Sequence, residues 1–166
     1  SFVNGVESTD SADGDADPGH GTHVAGIVGA VNSNGIGISG VAPNARLLPI
    51  RVFANGSEKS DSGDVALAIR FAVDAGVKVI NLSIGGDNED SRITAAVQYA
   101  VSKNILVVAS AGNDGQLASP KWPAKDDNTL AVTAVDENKG VTTFDQRGEY
   151  IDLSAPGVAI WSTRTS

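Results

Sequence analysis

Short runs of almost unbroken Val, Ile and Leu constrain this chain more than any other feature. They are VKVINLSI from Val77 to Ile84, ILVVASAG from Ile105 to Gly112 and LAVTAV from Leu130 to Val135. Near-continuous Val, Ile and Leu marks strands covered on both faces, which is the habit of parallel sheets. RLLPIRVF, Arg46 to Phe53, and YIDLSAPG, Tyr150 to Gly157, read as further strands. Between them DVALAIRFAVDAG, Asp64 to Gly76, and DSRITAAVQYAVSKN, Asp90 to Asn104, carry an apolar stripe at i, i+3, i+4. Each has an acidic start and a Gly or Asn at its end, the signals of a helix. The alternation predicts an α/β fold: a three-layer, doubly wound, mostly parallel sheet with helices on both faces.

The expected organisation is one domain over residues 1–166. An acidic lead-in loop (1–19) precedes an alternating strand and helix core (20–112), and a loop-rich flank (113–166) follows it. The 19 glycines against 8 aromatic residues predict close backbone packing rather than large side-chain layers. Twenty acidic residues outweigh twelve basic ones, so nucleic acid is not an expected partner. No segment approaches the length of apolar chain, roughly 18 residues, that crosses a bilayer, so a membrane is not expected either. The lack of cysteine removes disulfides, thiolate ligands and a thiol nucleophile together.

GHGTHVAG, Gly19 to Gly26, opens a predicted helix from His20 to Val31, read as buried, in which Ala and Gly allow a neighbour to approach closely. Three chemistries compete for it. A dinucleotide loop needs glycine where Val24 stands and a strand before it. A zinc site needs a third ligand beyond His20 and His23, and the chain has no other His or Cys. An imidazole on the first turn of a helix is also placed to take a proton near neutral pH, as a general base does.

GHGTHVAG resembles the histidine signature of the subtilases. The likeness continues in family order through SGVAP (39–43), VINLSIGG (79–86), ASAGNDG (109–115), WPA (122–124) and SAPGV (154–158). The resemblance implies a serine endopeptidase that works through an acyl-enzyme on protein or peptide held in extended form. It makes His20 the general base, His23 a structural neighbour and Asn113 the amide that donates to the oxyanion. Ser83, Ile84 and Gly85 would hold the peptide main chain by strand addition, and Ser110, Ala111 and Gly112 would wall the pocket for the residue before the scissile bond. A looser match places Glu58, Lys59 and Ser60 on the other side of the peptide. NSNGIGI resembles the family's calcium loop, with Asn32, Asn34, Ile36 and Ile38 as ligands. The alternative there is a Gly-Asn turn that binds nothing. Trp122-Pro123 matches a cis bond, and secretion is implied by the resemblance alone.

The chain departs from the pattern at two members of the triad. No D-[ST]-G segment precedes His20, and Asp10, Asp13, Asp15 and Asp17 sit in a polar loop and are not assigned. Ser166 follows Arg164 and Thr165 rather than the expected Gly-Thr pair, and is read as a chance likeness to the nucleophile's context. The expectation is a subtilisin-like domain incomplete at both ends, inactive by itself, with its missing parts as possible partners. The alternative is a catalytically silent module that at most binds extended peptide.

Overall fold

Asn4 and Gly5 both adopt positive φ, 53° and 73°, the pair of left-handed residues that a two-residue hairpin requires. They join β1 (Phe2–Val3) to an antiparallel β2 (Val6–Glu7). The start of the chain is therefore a small hairpin, where composition predicted only a loop. It is anchored through the buried Phe2, whose N–H donates to the Arg51 carbonyl at 2.8 Å, and through the Gly5 N–H, which donates to Asp64 at 2.9 Å.

This computed structural model describes residues 1–9, 12–13, 19–57, 59–115 and 117–165. They form two compact units, Ser1–Ala68 with Trp161–Ser166, and Ile69–Ile160. Asp10, Asp15, Asp17, Glu58 and Ser166 lie outside the described residues.

The first unit is built on α1 (His20–Gly29). Its last-turn carbonyls would lack partners, and the segment Gly40–Ala42 supplies them. Val41 N–H donates to Ile27 and Ala42 N–H to Val28, at 2.9 and 2.8 Å. A Cβ on Gly40 would fall 2.5 Å from the Ala30 nitrogen, so only glycine lets this strap approach. On another face Ser162 and Thr163 donate to the carbonyls of His23 and Thr22 at 2.6 and 2.7 Å. A Cβ on Gly26 would lie 2.2 Å from the Thr163 hydroxyl. α1 is thus a close-contact helix, as its small residues predicted, but within its span only Gly26 is buried, and Val31 beyond it is 65% exposed. Residues 46–53, predicted to be a strand, form no ladder among the described residues. Strand geometry needs a neighbour for its N–H and C=O groups, Pro49 offers no N–H, and the carbonyls of Arg51 and Val52 accept from the Phe2 N–H and the Ser60 hydroxyl rather than from a paired strand.

The second unit is a four-stranded parallel sheet in the order β3 (Val79–Leu82), β4 (Leu106–Ser110), β5 (Leu130–Val135), β6 (Leu153–Pro156). Register runs Val79 to Leu106, Val108 to Leu130 and Val132 to Leu153. α3 (Ser91–Ser102) is the crossover from β3 to β4 and buries Ala96, Val97 and Ala100. The helix α2 (Ser62–Asp74) and α3 both end in a Schellman turn. Gly76 and Asn104 take φ of 79° and 60°, and the following Val77 and Ile105 N–H groups reach back to the Ala72 and Ala100 carbonyls. Each helix is thereby stopped one or two residues before its next apolar run begins.

At the start of α3 the Asp90 carboxylate accepts from the Arg92 N–H at 2.9 Å and also holds the Arg92 guanidinium. The exposed ion pair contributes little, so Asp90→Ala is expected to cost about 1 kcal/mol, the worth of an N-cap. Urea denaturation of Asp90→Ala beside Arg92→Ala separates cap from ion pair, and equal losses in the two variants would count against the cap.

Candidate active site

β3 and β4 run in parallel and end at the same edge of the sheet, the side where ligands bind in open α/β folds. A cleft of about 280 Å³ opens there. Ser83, Ile84 and Gly85, just past β3, line one side, and Ser110, Gly112 and Asn113, at the end of β4, line the other. Six residues singled out from sequence therefore share one cavity. Ala111 is 1% exposed and is absent from the lining; its N–H donates to the Val132 carbonyl, so it secures the turn from behind.

The exposed Asn113 follows Gly112, whose φ is 112°. A side chain at 112 is excluded twice, by conformation and by space. A Cβ would lie 1.6 Å from the Gln146 side-chain oxygen and 2.7 Å from the stem of Lys121. Gln146 is fully buried. Its side-chain amide donates to the Ser119 carbonyl at 2.6 Å, and its main-chain carbonyl accepts from the Thr133 hydroxyl at 3.0 Å. The turn that carries Asn113 is thus wedged from below by a residue far along the chain, which sequence patterning did not single out.

The other wall is fixed by Trp122, joined to Pro123 by the expected cis bond. Gly86 and Trp122 exchange two main-chain hydrogen bonds of 2.9 Å, which brings Lys121 into the cleft. Its ammonium pairs with Asp114 beyond β4 and with Asp87 beyond β3. The hydrogen bonds Lys121 donates to Asp114 and then to Asp87 outweigh burial and hold it above the usual lysine range, while the hydrogen bond and charge of Lys121 hold Asp87 below the usual carboxylate range. Lys121 and Asp114 also line the cleft and were not read as site residues. The available signal was their position, Asp114 inside the quoted ASAGNDG and Lys121 directly before WPA.

In the first unit His20 is the first residue of α1 and is exposed. Gly19 occupies the N-cap without a side chain to offer, and Asp13 caps the helix in its place, accepting from the Thr22 N–H at 2.6 Å. Burial pushes the Asp13 carboxyl up. Hydrogen bonds from Thr22, the nearby His20 and the Gly21 N–H together more than reverse this and leave it below its ordinary value. Asp13, one of the unassigned acids, is therefore tied to the turn that presents His20. His23 is half-buried, three residues along the helix. Ser60 hydrogen-bonds the Val52 carbonyl at 2.6 Å, and Lys59 is exposed.

The loop of Asn32, Asn34, Ile36 and Ile38 is largely exposed, with positive φ at Ser33, Gly35 and Gly37. The Asn34 side-chain oxygen accepts from the Ile36 N–H at 3.0 Å, and nothing lies within 4 Å of a Cβ built on Gly35 or Gly37. The loop offers carboxamide and main-chain oxygens in open space, the donor type that calcium takes.

A family profile described as the Subtilase family matches residues 1–166. Thermitase of Thermoactinomyces vulgaris is 44% identical over 95% of this chain, and subtilisin Savinase of Lederbergia lenta is 43% identical over 98%. A solved structure titled prenylagaramide maturation protease PagA superposes with a TM-score of 0.81 at 32% identity. It covers 89% of this chain and 55% of its own. The chain belongs to the subtilase family, with the α/β, three-layer fold class expected from its sequence. It spans 57% and 58% of the two curated relatives.

Proposed function

We propose that the protein containing this chain is a secreted serine endopeptidase that hydrolyses proteins and peptides bound in extended form. The observation that carries the reading is the cleft at the carboxyl edge of β3 and β4, where Ser83–Gly85 and Asn113 come together. In this reading main-chain groups of Ser83, Ile84 and Gly85 align the peptide by strand addition. Ser110 and Gly112 bound the pocket before the scissile bond, and Ala111 backs it. Asn113 donates its side-chain N–H to the oxygen that becomes negative as the carbonyl turns tetrahedral, which is where a fixed donor lowers the barrier most. His20 takes the proton from a serine nucleophile and returns it to the leaving amine. The serine and the orienting carboxylate belong to the rest of the protein, and the 166 residues by themselves are silent. Residues 1–166 act as one domain in this reading. Among the described residues no helix is long and apolar enough to cross a membrane.

The test is hydrolysis of casein by the whole protein, with and without a sulfonyl fluoride that acylates reactive serines. Cleavage that the reagent abolishes supports the reading. Cleavage that survives it and needs a metal instead would sink it.

Asn32 and Asn34 through their side chains, with Ile36 and Ile38 through their carbonyls, would hold a structural calcium ion, which would stiffen the loop and take no part in the chemistry. With neutral donors a dissociation constant on the order of 1 mM is expected. About 10 mM calcium then adds about 1.4 kcal/mol, which corresponds to a Tm rise of roughly 3–6 °C over EDTA. Scanning calorimetry should show that rise and its loss in Asn34→Ala; an equal rise in Asn34→Ala would mean that the ion binds elsewhere.

A further inference from the structure

We infer that Asn34 is a self-modifying residue: the Gly35 nitrogen attacks its carboxamide and converts the loop from an asparaginyl to an aspartyl and isoaspartyl form. The inference is independent of the protease reading. The chain contains three Asn-Gly pairs, Asn4-Gly5, Asn34-Gly35 and Asn55-Gly56. In each, the residue after asparagine has no side chain to shield its nitrogen or restrict the peptide. The sequence makes the three equal, and the structure separates them.

At Asn34 three features favour attack. The Ile36 N–H donates to the Asn34 side-chain oxygen at 3.0 Å. This folds the carboxamide back over the Asn34–Gly35 peptide, as in an Asx-turn, and aims a fixed donor at the oxygen that becomes negative when Cγ turns tetrahedral. Among the described residues the Gly35 N–H has no hydrogen-bond partner, so no bond must break to bring its nitrogen to Cγ. Asn34 is exposed, and nothing lies within 4 Å of a Cβ built on Gly35, which leaves room for the ring that forms and for water. At Asn4 the opposite holds. The Gly5 N–H donates to the Asp64 carboxylate at 2.9 Å, which restrains the nucleophile and opposes an amide anion there. Asn55 lies between the two. It is exposed, in a turn closed by the Ser57 N–H on the Ala54 carbonyl at 3.1 Å, and among the described residues its carboxamide oxygen receives no donor.

The reaction needs only the chain and water. The Gly35 nitrogen gives its proton to solvent and bonds to Cγ; the Cγ–Nδ2 bond breaks, and Nδ2 takes a proton from solvent and leaves as ammonia. Water then opens the cyclic imide at one of its two carbonyls. Opening at Cγ gives aspartate, and opening at the main-chain carbonyl routes the chain through Cγ and lengthens the loop by one methylene. Either product adds one negative charge to a chain already at −8.

The test holds the whole protein, acylated with the sulfonyl fluoride against self-digestion, in mildly alkaline buffer without calcium for several weeks. Circular dichroism checks that it stays folded, and peptide mapping by mass spectrometry follows each Asn-Gly pair. The Asn34 peptide should gain the mass of OH over NH2 and split into two chromatographic forms. Its rate should exceed that of Asn55 about 2- to 10-fold, the scale of one neutral hydrogen bond, and that of Asn4 about 10- to 100-fold, the scale of one to a charged group. In urea the three should convert at similar rates, because only the shared dipeptide remains. Ile36→Pro removes the activating N–H, keeps the Asn-Gly pair, and should slow Asn34 to the rate of Asn55. Equal native rates, a lead by Asn4 or Asn55, a ranking that persists in urea, or an unchanged Asn34 rate in Ile36→Pro each overturns the inference. None of these outcomes bears on casein hydrolysis, so the protease reading stands or falls separately.

Discussion

If the protease reading holds, alanine at His20 should reduce kcat of the whole protein by about 10⁵- to 10⁶-fold with KM changed only a few-fold, a scale set by the corresponding substitution in subtilisin, a relative of this chain. At 1.36 kcal/mol per decade that is about 7–8 kcal/mol of transition-state stabilisation. So large an effect is expected only of a group that moves a proton in the reaction. His20 has the placement for such a transfer, because it is exposed, it opens α1, and the turn beneath it is held by Asp13 through the Thr22 N–H. His23 provides the internal control. It sits one turn along the same helix, half-buried, and its carbonyl accepts from Ser162, a bond that survives a side-chain change. His23→Ala should therefore lower stability while costing less than tenfold in kcat. Single-turnover kinetics on a chromogenic peptide measure both variants. Comparable losses in the two would show that the helix matters as a scaffold and that neither imidazole is the base.

What was legible in the sequence followed from strong local signals. The runs 79–82, 106–110, 130–135 and 153–156 became parallel strands, as their mostly apolar character predicted, although β3 buries only Ile80 and Leu82 and β6 is exposed along its length. Gly76 and Asn104 marked the helix ends because few residues enter the left-handed region that a Schellman turn demands. The hairpin at Phe2–Glu7 was equally legible, since Asn-Gly between Val3 and Val6 is a strong short-range signal, but the acid-rich composition around it suggested a loop. Residues 46–53 show the opposite failure. A strand is a property of a pair, and the run of Leu, Ile and Val says nothing about what lies beside it. The site divides along the same line. Ser83–Gly85, Ser110, Gly112 and Asn113 belong to contiguous motifs, so their meeting in one cleft was foreseeable. Lys121 reaches across 34 residues to Asp87, and Gln146 reaches equally far back to Gly112; such long-range partners have no local periodicity to reveal them. Asp13 capping a helix from nine residues before Thr22 is a third case, invisible because Gly19, the local cap, lacks a side chain.

Asn113→Ala should cost about 100- to 1,000-fold in kcat, or about 2.7–4 kcal/mol, again with little change in KM; this range too derives from a subtilisin. The split between the two constants is the informative part. A donor aimed at the developing oxyanion is indifferent to the planar carbonyl of the ground state, so its loss raises the barrier without loosening the substrate. A residue that merely shaped the turn would behave otherwise. The turn has its own supports here, Ala111 bonded to Val132 and Gln146 wedged under Gly112, so truncating the exposed Asn113 side chain leaves the backbone path intact. Gln146→Ala offers the contrast. It opens a void beneath Gly112 and strips a donor from the Ser119 carbonyl, and should lower Tm and disturb kcat and KM together. Asn113→Asp sharpens the test, because a carboxylate of nearly the same shape presents negative charge where negative charge must form. Its kcat should fall at least as far as that of the alanine variant. An aspartate variant that outperforms alanine would mean that the amide serves the turn, and the oxyanion would have to be sought against main-chain N–H groups alone.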